Sequence, residues 1–167
     1  MLIRTAFALA NRFFPHEDAS AHCDIPCGIY DPHQAQIGAL TVLRMVQLIE
    51  AAEAPAMEKP ARDKYMHDLS RYTRIKDEHA EIVKHEIRVI TGDFFKPENT
   101  PDTLFPLVNK IMKTASKARQ NIDKAAAEEL LGLVNEYAEA FWKAKDVKTK
   151  KAPSHQAVGG EVVVPAD

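Results

Sequence analysis

The chain has 167 residues, 46% of them hydrophobic and 28% charged, with a formal net charge of −2 and only 6 glycines. That length supports one domain with a real core rather than two, and the weakly negative balance excludes a general electrostatic attraction to nucleic acid or an anionic membrane. No apolar run approaches the roughly 18–20 residues that span a bilayer, and the abundance of Ala, Leu, Glu and Lys favours an all-α body.

Residues 1–21 do not match the rest. An early Arg4, a short apolar run at 5–10 and the small residues Ala19-Ser20-Ala21 share features with a secretory signal. The run is shorter than a usual signal core, however, and polar Asn11, Arg12, Glu17 and Asp18 follow it. The segment reads as a leader removed by a dedicated protease, which leaves the mature protein in the cytoplasm; export is the minority reading.

Next comes His22-Cys23-Asp24-Ile25-Pro26-Cys27-Gly28-Ile29-Tyr30-Asp31-Pro32, which holds both cysteines of the chain. A disulfide between two cysteines this close would close only a tiny loop and staple nothing distant. Paired thiolates acting as metal ligands or as a redox couple are the better readings.

Beyond the hook, Ile37, Leu40, Val42, Leu43, Met45, Val46, Leu48 and Ile49 form a helical stripe, with Asp31-Pro32 at its start and Pro55 past its end. A second pattern runs over about 61–90, with Tyr65, Leu69, Tyr72, Ile75, Ile82, Val83 and Ile90 near one face and Gly92 as a stop. After an aromatic connection, Thr100-Pro101-Asp102 announces a third helix bearing Leu107, Val108, Ile111, Met112 and Ala115, its regular part delayed by Pro106. A fourth carries Leu130, Leu131, Val134, Tyr137, Phe141 and Trp142. Four amphipathic helices on short connections predict a four-helix bundle over 33–146, mostly up-down. Residues 147–167, with Lys148, Lys150, Lys151, Pro153 and Gly159-Gly160, read as a flexible tail.

The chemistry lies in the hook. A cut before His22 frees an α-amine beside an imidazole; Cys23 adds a thiolate and a backbone amide, and Cys27 a second thiolate. Amine, deprotonated amide and two sulfurs can share a plane, with the imidazole left to approach axially. Such a donor set suits a d⁸ ion such as Ni(II) better than zinc, which prefers a tetrahedron. Without the cut the amine is an amide, a far poorer ligand.

The same run, His-Cys-Asp-Ile-Pro-Cys-Gly-Ile-Tyr-Asp-Pro, resembles the nickel hook of nickel-containing superoxide dismutases. Ala80-Glu81, Lys84-His85, the Gly-Asp-Phe-Phe-Lys-Pro run at 92–97, Leu107-Val108-Asn109 and Phe141-Trp142 extend the resemblance over roughly 22–145. It implies that one nickel ion per chain is bound by His22 through its amine and imidazole, by Cys23 through sulfur and amide nitrogen, and by Cys27 through sulfur. It further implies that Tyr30 crowds the open face, Asp24 helps to hold the hook, Lys96 draws in superoxide, and the subunits form a homohexamer. The implied reaction converts two superoxide anions and two protons to O₂ and H₂O₂ as nickel alternates between Ni(II) and Ni(III).

This chain departs from the family pattern around the axial imidazole. Some members place a glutamate where Gly38 stands and an arginine where His79 stands, and Phe94 replaces a tyrosine. A metal-bound imidazole needs a partner on its other nitrogen; His79 is the candidate, although a buried histidine bonded to a backbone carbonyl is slightly favoured.

Two further readings separate on spacing and turnover. A di-iron carboxylate bundle needs Glu-x-x-His on two helices, and this chain has none. A nickel-binding chaperone or sensor would use the same hook without consuming superoxide.

Overall fold

The computed structural model describes residues 28–55 and 58–166. Four helices run in chain order, α1 (His33–Glu50), α2 (Lys59–Asp93), α3 (Leu104–Gln120) and α4 (Lys124–Ala144), followed by the strands β1 (Thr149–Pro153) and β2 (Glu161–Pro165). Helix α1 packs on α2 and α4, and α3 packs on α2 and α4, so the bundle closes as a ring of four. The core comprises Ala39, Val42 and Val46 of α1, Val83 and Ile87 of α2, Leu104 and Ile111 of α3, and Leu130, Val134 and Phe141 of α4. The all-α four-helix architecture expected from the periodicity is the one observed.

The helix ends show why the elements start where they do. At the start of α1 the Asp31 carboxylate accepts from the His33 N–H at 2.7 Å, satisfying one of the orphan donors of the first turn. Helix α4 starts on Asp123, whose side chain accepts from the Ala126 N–H at 2.9 Å. Helix α3 begins at Leu104, with Pro106 in its first turn, where proline's missing N–H costs nothing. Thr100, part of the run that announces this helix, donates its hydroxyl to the Lys96 carbonyl at 2.6 Å and closes the preceding loop. Gly92 does not stop α2, which runs on to Asp93 with Phe94 still helical in φ and ψ.

Helix α2 outruns its partners. From Lys59 to Ile75 no residue is fully buried, and the core stripe starts at Lys76. Tyr65, Leu69, Tyr72 and Ile75 carry the right period, but they are only half-buried. The i,i+4 ion pairs Lys59–Asp63, Lys64–Asp68 and Arg74–Glu78 line this overhang.

Lys76 itself is only 2% exposed. Its ammonium donates to the Ala118 carbonyl at 2.9 Å, to the Arg119 carbonyl and to the Asp77 carboxylate at 3.0 Å. It thereby caps the C-terminus of α3, whose last carbonyls have no helical partner. Lys76→Met should leave those carbonyls buried without a donor and cost about 2 kcal/mol. A fall in thermal midpoint of about 4–8 °C at fixed protein concentration is expected, and an unchanged midpoint would contradict the capping role.

The expectation of a flexible tail at 147–167 is corrected. β1 and β2 pair antiparallel, with Lys150 opposite Val164 and Ala152 opposite Val162, and Val162 and Val163 are buried against the bundle. The 154–160 turn is closed by the Ser154 hydroxyl on the Gly159 carbonyl at 2.7 Å. Gly160 combines φ +81° with close approach: a Cβ there would lie 3.1 Å from Leu131 Cδ2 and 3.6 Å from Leu40 Cδ2. The lysines that read as solvent-seeking lie on the outer strand, where charge and Pro153 protect a sheet edge from further pairing.

Candidate metal centre

His22, Cys23, Asp24 and Cys27 lie outside the described residues; the base on which the hook stands is described. Gly28 has φ +81° with nothing within 4 Å of an added Cβ, so conformation rather than space calls for glycine directly after Cys27. Ile29 is 76% exposed. Tyr30 then turns inward: its ring lies 6.2 Å from Phe94 and its hydroxyl is withdrawn from solvent.

Phe94 is the hub of an aromatic shelf. It meets Phe95 edge-on at 5.0 Å and Phe141 at 4.6 Å, and Phe141 meets Trp142 at 5.1 Å. Phe95 reaches Tyr137 at 6.0 Å. Tyr137 is fully buried, with its hydroxyl 2.9 Å from that of Thr91; burial holds its phenol far above the usual value, so it stays protonated. This shelf joins the end of α2, the aromatic connection and the end of α4 beneath Tyr30. Lys145 lies 5.4 Å from the centroids of both Phe141 and Trp142, a cation–π site that the sequence reading missed.

The residues expected around the metal do not all converge. Lys96 is two positions beyond Phe94 and exposed, in a loop tied by its own N–H to the Asn99 side chain at 2.7 Å. His79 sits lower on α2, about 22 Å along the axis from Phe94 at 1.5 Å per residue. Its Nδ1 lies 2.9 Å from the Ile75 carbonyl, the backbone pairing that was slightly favoured for it. A carbonyl only accepts, so Nδ1 is the donor in this bond. Gly38 faces this part of α2: a Cβ there would meet Val83 Cγ2 at 2.9 Å and the His79 carbonyl at 3.3 Å. A glutamate at 38 would therefore force the two helices apart. Among the described residues no group of three or more His, Cys, Asp or Glu side chains could hold a metal ion, and no helix is long and apolar enough to cross a membrane.

Gln36 and Asn135 are buried polar residues that the sequence reading did not single out. The Gln36 amide donates to Asn135 Oδ1 at 2.9 Å and to the Val163 carbonyl at 3.1 Å, and Asn135 donates to the Glu161 carbonyl at 2.9 Å. One signal was available: Gln36, Leu40, Leu43 and Gln47 share an α1 face whose polar ends need partners.

A closed helical bundle preceded in the chain by a short run with a histidine and two cysteines, and carrying an aromatic shelf against Tyr30, defines a class, a helical protein with a candidate metal centre ahead of its first helix. The chain belongs to the nickel-containing superoxide dismutase family, whose model matches residues 17–145. It is 37% identical over 140 residues to the nickel superoxide dismutase of Streptomyces seoulensis and 38% identical over 140 residues to that of Streptomyces coelicolor, in each case covering 82% of this chain and 98% of the relative. A crystal structure of a nickel-containing superoxide dismutase after partial X-ray-induced reduction superposes with a TM-score of 0.64 at 34% identity, covering 75% of this chain and 99% of that one. The solved relatives include variants at a histidine in first position, an aspartate in third and a tyrosine in ninth.

Proposed function

We propose that this nickel enzyme dismutes superoxide at a hook whose ligands are the His22 amine and imidazole, the Cys23 thiolate and amide nitrogen, and the Cys27 thiolate. The chain is a superoxide dismutase, with nickel as its cofactor and superoxide as its substrate. Membership of the family decides for turnover and against the chaperone or sensor. Two soft thiolates beside an amine and an amide fit nickel's preference for planar N and S donors, and bound there the metal supplies one-electron Ni(II)/Ni(III) chemistry.

The chain's own residues shape access and charge. Tyr30, held on Phe94, would narrow the approach to the hook, and Asp24 would help fix the loop between the cysteines. The Lys96 ammonium is exposed and in none of the ion pairs among the described residues, so it is available to attract an anion. Lys96→Glu should lower kcat/KM for superoxide about threefold at low ionic strength and flatten its salt dependence. An unchanged salt profile in pulse radiolysis would remove Lys96 from steering. If His79 partners the His22 imidazole, His79→Ala should change the electron paramagnetic resonance (EPR) signal of the oxidised enzyme. An unchanged signal and rate would leave His79 a packing residue.

Maturation by a protease cutting between Ala21 and His22, assembly as a homohexamer and a cytoplasmic location belong to the same reading. The variant positions of the solved relatives support the cut: counted from His22, this chain also has histidine first, aspartate third and tyrosine ninth. N-terminal sequencing with metal analysis and a superoxide assay tests the whole. A mature chain starting at His22 with about one nickel and dismutase activity is expected, and a nickel-loaded chain starting elsewhere would overturn the ligand set.

A further inference from the structure

We propose that Gln36 is a positioning residue for the nickel hook and that the C-terminal hairpin is the brace through which it acts. The inference rests on the ligand assignment above and goes beyond it.

The argument starts at the junction of hook and helix. The Gln36 N–H makes the first backbone hydrogen bond of α1, to the Pro32 carbonyl at 3.1 Å, and Pro32 is the last residue of the hook. The exit is stiff. Pro32 is fixed at φ −71°, and the Asp31 carboxylate is locked onto the His33 N–H at 2.7 Å. A rotation of the first turn of α1 is therefore carried through Pro32 to Asp31, at the C-terminal end of the hook.

Beside the buried Ala35, one amide holds that first turn. The Gln36 side chain is 1% exposed, and both hydrogens of its Nε2 are committed, one to Asn135 on α4 and one to the Val163 carbonyl on β2. Asn135 in turn spends its own amide on the Glu161 carbonyl. Chain pairing explains why β2 needs these donors. The Ser154 N–H bonds to the Gly160 carbonyl and the Ala166 N–H to the Lys148 carbonyl, so by strand alternation Val162 and Val164 face β1 while Glu161 and Val163 turn their carbonyls outward. Side chains of α1 and α4 close that edge, where a third strand would otherwise be needed.

The Gln36 carbonyl oxygen is buried without a partner. The amide is thus oriented wholly by what it donates to, and removing β2 would release it. The hairpin lies beyond residue 145, where the family match ends, so the brace stands outside the part of the chain that the family defines. Gln47 provides a contrast within the same helix: its amide donates to the Val158 carbonyl at 3.3 Å, at the turn end of the hairpin and about three helical turns beyond Gln36.

The test compares Gln36→Met with Gln47→Met in the mature, nickel-loaded enzyme. Thermal melting, the rate of nickel transfer to excess EDTA and the EPR signal of the oxidised form are measured for each. Both substitutions should lower the melting midpoint. Only Gln36→Met should release nickel faster, by about tenfold, and shift the EPR signal. Equal release rates in the two variants would show a stability effect without positioning and overturn the inference, as would an unchanged rate and signal in Gln36→Met. Asn135→Ala carries the same comparison if Gln36→Met does not fold. Cys27→Ser separates the two levels: nickel that stays bound without Cys27 defeats the hook and the brace together, whereas nickel that depends on Cys27 but is indifferent to Gln36 and Asn135 defeats the brace alone.

Discussion

Cys27→Ser should give a folded helical protein that no longer retains nickel and has no measurable superoxide dismutase activity. A serine hydroxyl is not deprotonated near neutral pH and is a hard oxygen donor, whereas the thiolate it replaces is the soft anionic ligand that both binds nickel and lowers the potential of its oxidised state. Loss of one ligand from the set should weaken metal binding by far more than the roughly 10–100-fold typical of groups that touch the metal only through a ligand. The bundle should survive, because its described core runs from Ala35 to Val163 along the helices and the hairpin. Metal analysis after gel filtration, beside a far-UV circular dichroism spectrum, makes the comparison. A Cys27→Ser protein that keeps stoichiometric nickel would refute the donor set.

One alanine inserted between Ala21 and His22, and left in place on the mature chain, should abolish almost all activity as well. The insertion leaves every side chain of the hook intact and alters a single atom's chemistry, turning the His22 nitrogen from an amine into an amide. An amine has a lone pair to donate; an amide nitrogen has delocalised its pair into the carbonyl and binds only after losing a proton. By the same reasoning, a leader left uncut would inhibit the enzyme. Activity in a chain shown by mass spectrometry to retain the extra residue would overturn the maturation argument, and with it the place of the α-amine among the ligands.

The bundle was legible because each helix carries an apolar stripe at the helical period and short connections leave few ways to close four of them. Cys23 and Cys27 were legible for another reason: thiols, an imidazole and a proline in one short run have few structural uses. Illegible were the features that depend on where a distant element ends. Lys76 sits on a stripe of apolar positions, and only the end of α3 beside it explains a buried ammonium. Tyr65 and Tyr72 have a helix face but only partial cover, since the overhang of α2 is set by the lengths of its neighbours. The hairpin misled most. Its lysines and glycines read as solvated chain, and valines 162–164 are too few to form a core alone; they become a strand only by joining the bundle's core, where Gly160 comes against Leu40 of α1 and Leu131 of α4.

The bond between Gln36 and Val163 joins residues 127 positions apart. On a ribosome adding about 5–20 residues per second, the second partner appears roughly 6–25 s after the first. The earliest helix to emerge is therefore among the last to settle. An N-terminus trimmed during that interval would expose two thiolates on a base that the rest of the chain had not yet fixed, open to oxidation or to the wrong metal. Under the proposed maturation, a leader that stays on until synthesis ends would protect against this.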